Sequence, residues 1–193
     1  IKQPYTQTME QLLIFEWGIH IIDVARFLIG EPSSVFAATA SVSPYFSGED
    51  RAVIFLSVAD VQVVLDLSWA TVGDHPGQIL EHVVLEGESG SLQILPEAGN
   101  VIRLITREGI TDQAAISLSE SEEYQLSYTR AHQHFIDCLR RGKIPQTWAG
   151  DNLKTLRTVF ASYRSARTHR VVNIDTSLSG ATSLSGEEKE SGL

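Results

Sequence analysis

Residues 51–69 read RAVIFLSVADVQVVLDLSW. Two apolar runs flank Ala59-Asp60, and a connection that short cannot carry a crossover helix, so the two runs pair as antiparallel strands. Val61, Val63, Leu65, Leu67 and Trp69 alternate onto one face of the second strand. The first strand is apolar on both faces. An antiparallel sheet open to water on one side would alternate throughout.

Further strand-like runs rich in Val, Ile, Leu and Phe occupy 35–42, 79–86, 91–95 and 101–106. Turn signals separate them, among them "SGED" at 47–50, "DHPG" at 74–77 and "GESG" at 87–90. Neither "SGED" nor "GESG" precedes a helix, so both read as hairpin turns and not as phosphate cradles. Helical spacing of apolar residues runs from Trp17 to Ile29, and Gly30 followed by Glu31-Pro32 supplies the stop. A second helix is expected over about 124–141, ending at Gly142. A third opens near Gly150 with Asp151 as N-cap candidate and Leu153, Leu156, Phe160 and Tyr163 along one apolar stripe, the side a helix of this kind turns to the core. "RVVNI" at 170–174 closes the fold as a short strand.

The expected class is α+β: one largely antiparallel open sheet with helices on one face. The domain is expected to span 1–175, with 176–193 a disordered Ser/Gly-rich tail. Strand 101–105, like 51–58, is apolar on both faces, so the second face of the sheet is expected to pack on a second copy of the chain.

Composition narrows the function. Apolar residues make up 42% and charged residues 20% of the 193 residues, which is ordinary for a globular protein. A formal charge of −9 argues against a general affinity for nucleic acid or an anionic membrane. Cys138 is the single cysteine, so neither an internal disulfide nor a cysteine zinc cluster is available. It falls among core letters of the second helix and is expected to be buried and not reactive. Without a signal peptide or a membrane-length apolar run, a cytoplasmic location is expected. The chain starts at Ile1, and the expectation is a piece of a longer polypeptide.

The first helix carries the chemistry. Within IFEWGIHIIDVARFLIGE (14–31), Glu16, His20 and Asp23 stand at i, i+4 and i+7. On a regular helix those positions share a stripe, with the imidazole between two carboxylates and Arg26 within reach of Asp23. Such a histidine can exchange a proton with a hydroxyl near neutral pH. An imidazole flanked by acids also serves as an ordinary polar contact, and spacing alone leaves both readings open. No further residues complete a metal site around this trio. His132 and His134 point in different directions on their helix and are expected at the surface.

Four ordered blocks carry a resemblance: EWGIHIIDVARFLIGEPSSV (16–35), SGEDRAVIFLSVADVQVVLDLSWAT (47–71), EHVVLEGESGSLQIL (81–95) and the stretch from AHQHFIDCLRRGKIP to THRVVNI (131–174). They resemble the C-terminal domain of the glucose–fructose oxidoreductase/inositol dehydrogenase/MocA (Gfo/Idh/MocA) family. The resemblance implies that His20 takes the substrate hydroxyl proton and that Glu16 contacts substrate or orients the site. Asp23 and Arg26 would support them. The family usually has aspartate where Glu16 stands, so its carboxylate is displaced by one methylene. It also implies a small-molecule sugar or polyol substrate, association through the open sheet, and NAD or NADP as cofactor of the full-length parent.

The family's cofactor domain is a Rossmann fold with a glycine-rich turn and a Glu-Lys-Pro motif. This chain has neither G-x-G-x-x-G nor Glu-Lys-Pro, so no cofactor is expected to bind it alone. The leading expectation is therefore a C-terminal fragment of an NAD(P)-dependent oxidoreductase. The alternative is a stand-alone, non-catalytic dimerisation or sugar-binding module of the same fold.

Overall fold

The computed structural model describes residues 3–71, 82–95, 101–114 and 119–175. The chain divides into two compact units, Ile1–Thr71 with Thr147–Leu193, and Val72–Gln146. The expected tail from 176, the "DHPG" turn and the part of the 79–86 strand before 82 lie outside the described residues.

The first unit opens with a 3-10 turn, Pro4–Thr8, and a π-helical turn, Ile14–Gly18, which runs directly into α1, Ile19–Ile29. Strands β1 (Ser34–Ala40), β2 (Arg51–Val58) and β3 (Val61–Ser68) follow, and α3 (Ala149–Thr168) and β8 (Val172–Asn173) return to the same unit. Its sheet has the order β3-β2-β1-β8, antiparallel at every pairing. The β2–β3 register, Val58↔Val61 to Arg51↔Ser68, is the hairpin that the opening stretch dictates. Ala52, Ile54, Leu56, Leu65 and Leu67 project with Val35 and Ala37 into one core, closed by Leu13, Ile14, Ile22, Ala25 and Val159 from the helical segments. Each large aliphatic side chain removed from water there contributes about 1.5–3 kcal/mol. On the opposite face Phe36 pairs with Phe55 across β1–β2, and Phe55 with Val64 across β2–β3. Phe55 is 45% and Val64 58% exposed, so this strand pair is apolar on both sides as its sequence reads.

The second unit contains the meander β4 (Val83–Gly87), β5 (Gly90–Leu95), β6 (Val101–Thr106) and β7 (Gly109–Ala114), and helix α2, Glu120–Arg140. The class is thus α+β with antiparallel pairing as expected, but the described strands form two four-stranded sheets in place of one. β7 escaped the sequence reading because "GITDQA" carries too little apolar pattern to signal a strand. Its place is set by the two-residue turn at Arg107-Glu108 and by the cross-strand Arg103–Asp112 ion pair (2.7 Å). α2 begins four residues earlier than expected, because Ser119 and Glu122 form a reciprocal capping box. Its end is as read: Gly142 takes φ +61°, and Lys143 N–H donates to the Cys138 carbonyl (2.8 Å). Cys138 is buried as expected. His134, expected at the surface, is half-buried, with Nε2 accepting from Gln146 N–H (3.0 Å) and lying 3.6 Å from Cys138 Sγ.

α3 corrects two expectations. Its N-cap is Trp148, and Asp151 sits inside the first turn. Its buried side is Thr155, Thr158, Val159, Ser162 and Ser165, whereas Leu153 and Phe160 are about half exposed. Small side chains let the helix lie close to β1, and each hydroxyl finds a partner. Ser162 donates to the Thr158 carbonyl (2.8 Å), and Ser165 donates to the Arg170 carbonyl (2.6 Å) while accepting from Ala37 N–H (2.9 Å). Hydroxyls satisfied in this way can be buried at little cost, so the polar letters conceal a core face.

Candidate active site

The helical segment bearing His20 is fixed at its start by an acid from another part of the chain. The loop 47–50 runs against residues 9–12 so closely that a Cβ at Gly48 would stand 2.4 Å from the Met9 carbonyl oxygen and 2.8 Å from Leu12 Cβ. That approach delivers Glu49, only 7% exposed, to the first turn of the helix. Its carboxylate accepts from Leu12 N–H (3.0 Å to Oε2) and Ile14 N–H (3.1 Å to Oε1), and its carbonyl accepts from Leu13 N–H (3.2 Å). Tyr163 of α3 donates its hydroxyl to Glu49 Oε1 (2.6 Å) and accepts from Phe15 N–H (3.1 Å). Four successive amides are thereby satisfied, and the internal ladder starts with Glu16 N–H on the Leu12 carbonyl (2.8 Å). Burial, and secondarily the Glu49 carboxylate, raises the Tyr163 hydroxyl well above the usual phenol range, so it remains a donor. Neighbouring Asp50, fully buried, ties the next loop by accepting from Val42 and Ser43 N–H (2.7 Å each).

The other end is fixed by Arg26, 7% exposed. Its guanidinium donates to Glu31 through Nε (2.9 Å) and Nη2 (2.7 Å), to Asp151 Oδ1 (3.0 Å), to Asp23 Oδ1 (3.0 Å) and to the Thr155 hydroxyl. Thr155 in turn donates to Asp23 Oδ1 (2.7 Å). The Asp23–Arg26 pair expected from spacing is present, within a larger cluster that also locks α1 onto α3. Hydrogen bonds from Arg26 hold both Glu31 and Asp151 below their ordinary carboxylate ranges.

Between these anchors the expected stripe changes. A π turn inserts one residue relative to an α-helix, which rotates the segment before it by about 100° against the segment after it. The i, i+4, i+7 spacing of Glu16, His20 and Asp23 therefore does not describe a single straight face. Glu16, half-buried, accepts from the Tyr5 hydroxyl at Oε2 (3.2 Å). Asp23 is committed to Arg26 and Thr155. His20 is exposed, and its ring meets Trp17 edge-on with centroids 6.0 Å apart. Among the described residues His20 makes no hydrogen bond to either carboxylate, so the imidazole clamped between two acids is not what forms. What forms is an open imidazole beside Trp17, next to an exposed apolar stripe in which Phe27 is 82% and Val24 44% exposed.

Three contributors escaped the sequence reading. Tyr5, Glu49 and Tyr163 lie in a polar N-terminal segment, a turn and a helix stripe read as core. The bonds they make span 11, 37 and 148 residues, which no local pattern encodes.

Comparison with known proteins agrees with this architecture. A family model described as GFO/IDH/MocA C-terminal domain matches residues 4–93. A D-apiose dehydrogenase of Paraburkholderia graminis is 35% identical over 179 residues, covering 89% of this chain and 47% of that protein. A second D-apiose dehydrogenase, from Rhizobium rhizogenes, is 32% identical, covering 91% of this chain and 52% of that protein. The chain thus spans about half the length of the curated relatives it matches. A crystal structure of an oxidoreductase from Agrobacterium radiobacter in complex with NAD+, L-tartaric acid and magnesium superposes with a TM-score of 0.80 at 29% identity, covering 89% of this chain and 52% of that one. No helix among the described residues is long and apolar enough to cross a membrane.

The Arg26 cluster gives a test by stability. A carboxyl held below its ordinary pKa binds fewer protons folded than unfolded, so its contribution is complete above about pH 4.5 and is lost as pH falls through the lowered folded values. Urea unfolding of the intact protein is expected to show Arg26→Leu destabilised by about 3 kcal/mol at neutral pH. Its loss of stability below about pH 4.5 should be shallower than that of wild type. A neutral-pH change under about 0.5 kcal/mol, or an acid limb identical to wild type, contradicts the cluster's role.

Proposed function

The chain belongs to the GFO/IDH/MocA C-terminal domain family, and from that premise we propose that it is the C-terminal, substrate-side portion of an NAD(P)-dependent oxidoreductase acting on a sugar, polyol or related hydroxyl compound. The observation that carries this reading is the condition of His20. It is an exposed imidazole, without a hydrogen-bonded partner among the described residues, on a helix pinned at both ends by buried charged groups.

In this reading His20 accepts the proton of a substrate hydroxyl during oxidation and returns it during reduction. Glu16, whose Oε2 already takes the Tyr5 hydroxyl, offers its other carboxylate oxygen to a second hydroxyl of the substrate. Asp23 and Arg26 support these two from the cluster at the far end of the helix. The curated relatives are D-apiose dehydrogenases, which makes D-apiose the first substrate to assay.

NAD(P) supplies the hydride acceptor in such reactions. The described residues of this chain do not fit that group. Every described strand pair is antiparallel, and no strand–glycine-rich turn–helix unit is present among the described residues to meet a pyrophosphate. The dinucleotide site is therefore proposed for a part of the intact protein outside this chain. The apolar stripe of Val24 and Phe27 beside His20 is the surface it would cover.

The outer face of the first sheet, with Phe36, Val53, Phe55 and Val64, is proposed as the surface through which copies associate. Sedimentation of the intact protein is expected to show a dimer or larger assembly that Phe55→Lys disrupts, and a monomeric wild type contradicts this. The enzymatic reading is tested by His20→Ala in the intact protein, assayed for NAD(P)-linked oxidation of D-apiose and related polyols. Turnover is expected to fall by about 10²–10⁴-fold with dinucleotide affinity unchanged. Wild-type turnover in that variant refutes the role of His20.

A further inference from the structure

The π turn Ile14–Gly18 lies between Glu49, which caps the segment, and His20, which would do the chemistry. An extra residue in a helical turn weakens the regular ladder, and such turns persist where the surroundings impose them, often at functional sites. Here the surroundings are specific. The amides of Leu12, Ile14 and Phe15 are held by two side chains from distant segments, Glu49 and Tyr163, and the amide of Leu13 by the Glu49 carbonyl. The two side chains are themselves joined at 2.6 Å. Leu12, Leu13 and Ile14 are fully buried, so the capped segment packs into the core of the first unit. Gly18, at the other end of the turn, lies against the sheet closely enough that a Cβ would stand 3.0 Å from Leu67 Cδ1.

We infer that Glu49 and Tyr163 are positioning residues for the candidate site: together they hold the π turn, and the π turn sets where Glu16 stands relative to His20. Neither side chain touches substrate in this arrangement. Both act through the helix, and the inference rests on the proposed role of His20. If the cap lets go, the first turn can rewind to an α-helix, carrying Glu16 around the axis by up to about 100° while His20 stays with α1. A displacement on the order of 1 Å is enough to cost about 10²-fold in rate. Tyr5 adds a second restraint on the same carboxylate through its 3.2 Å hydrogen bond, so a Glu16 that has rotated away also loses its partner.

The experiment uses Tyr163→Phe in the intact protein, which keeps the ring and removes only the hydroxyl bridging Glu49 and Phe15 N–H. The variant is expected to remain folded and to bind NAD(P) within twofold of wild type. Its turnover should be about 10–100-fold lower, with KM for the sugar changed by no more than about threefold. Combined with His20→Ala it should lose no more than His20→Ala loses alone, because its effect passes through the site it positions. A near-wild-type turnover, or losses that multiply in the double variant, overturns the inference. Amide exchange gives an arm independent of activity. The amides of residues 12–15 should exchange at least tenfold faster in Tyr163→Phe, while those in the middle of α3 keep their wild-type rates. Unchanged exchange at 12–15 overturns the inference by itself. Absence of any dinucleotide-linked turnover in wild type refutes the proposed function, and the exchange result still decides whether the cap holds the turn. Should Tyr163→Phe not fold, Glu49→Gln is measured by the same readouts with the same expectations.

Discussion

A buried carboxylate at a helix start is the contact on which the first unit depends. Among the described residues Glu49 has no cation as a hydrogen-bond partner; its carboxylate is met by backbone amides and by one phenol hydroxyl. The positive end of the helical segment takes the role that a lysine or arginine would otherwise fill. This arrangement joins three pieces of chain remote in sequence: the loop before β2, the π turn, and α3. Around it the aliphatic core can close, because Leu12, Leu13 and Ile14 enter with their amides already satisfied. Gly48 follows from the same requirement, since only a residue without a side chain lets the loop approach the segment it caps.

The two anchors of the helix differ in kind. At its start, a buried anion is matched by neutral donors. At its end, a buried cation, Arg26, is matched by three carboxylates that stay partly hydrated. Partial exposure of the acids limits the desolvation cost of the cluster, while the guanidinium fork gives it fixed geometry. Between the anchors lies a short span with His20 outward and core residues inward. Rigid support with an open imidazole is the arrangement that positioning a reactive group calls for.

How far the sequence reveals this depends on the range of the interaction. The β2–β3 hairpin, α1 with its stop at Gly30, and the C-cap at Gly142 follow from patterns a few residues long, and the structure has them. The Asp23–Arg26 pair, three residues apart, was equally legible. The buried stripe of α3 was not, because Thr155, Thr158, Ser162 and Ser165 read as polar until their hydroxyl partners are known. β7 carries almost no apolar signal and is defined by its neighbour across the turn. Glu16, His20 and Asp23 were legible as residues but not as a geometry. The π turn that separates them is imposed by Glu49 and Tyr163, whose partners lie far away along the chain. Family resemblance supplied the candidate role of His20, and spacing alone did not decide it.

The proposed role of His20 requires that its ring, on a helix held by the Glu49 cap, reach the hydroxyl of a sugar. A crystal structure of the intact protein with dinucleotide and a sugar tests it most directly. A His20 ring nitrogen is expected within about 2.6–3.2 Å of a substrate hydroxyl, with the π turn and the Glu49–Tyr163 contact retained. A sugar bound out of reach of His20, or a regular α-helix through residues 14–18 in the complex, would contradict it.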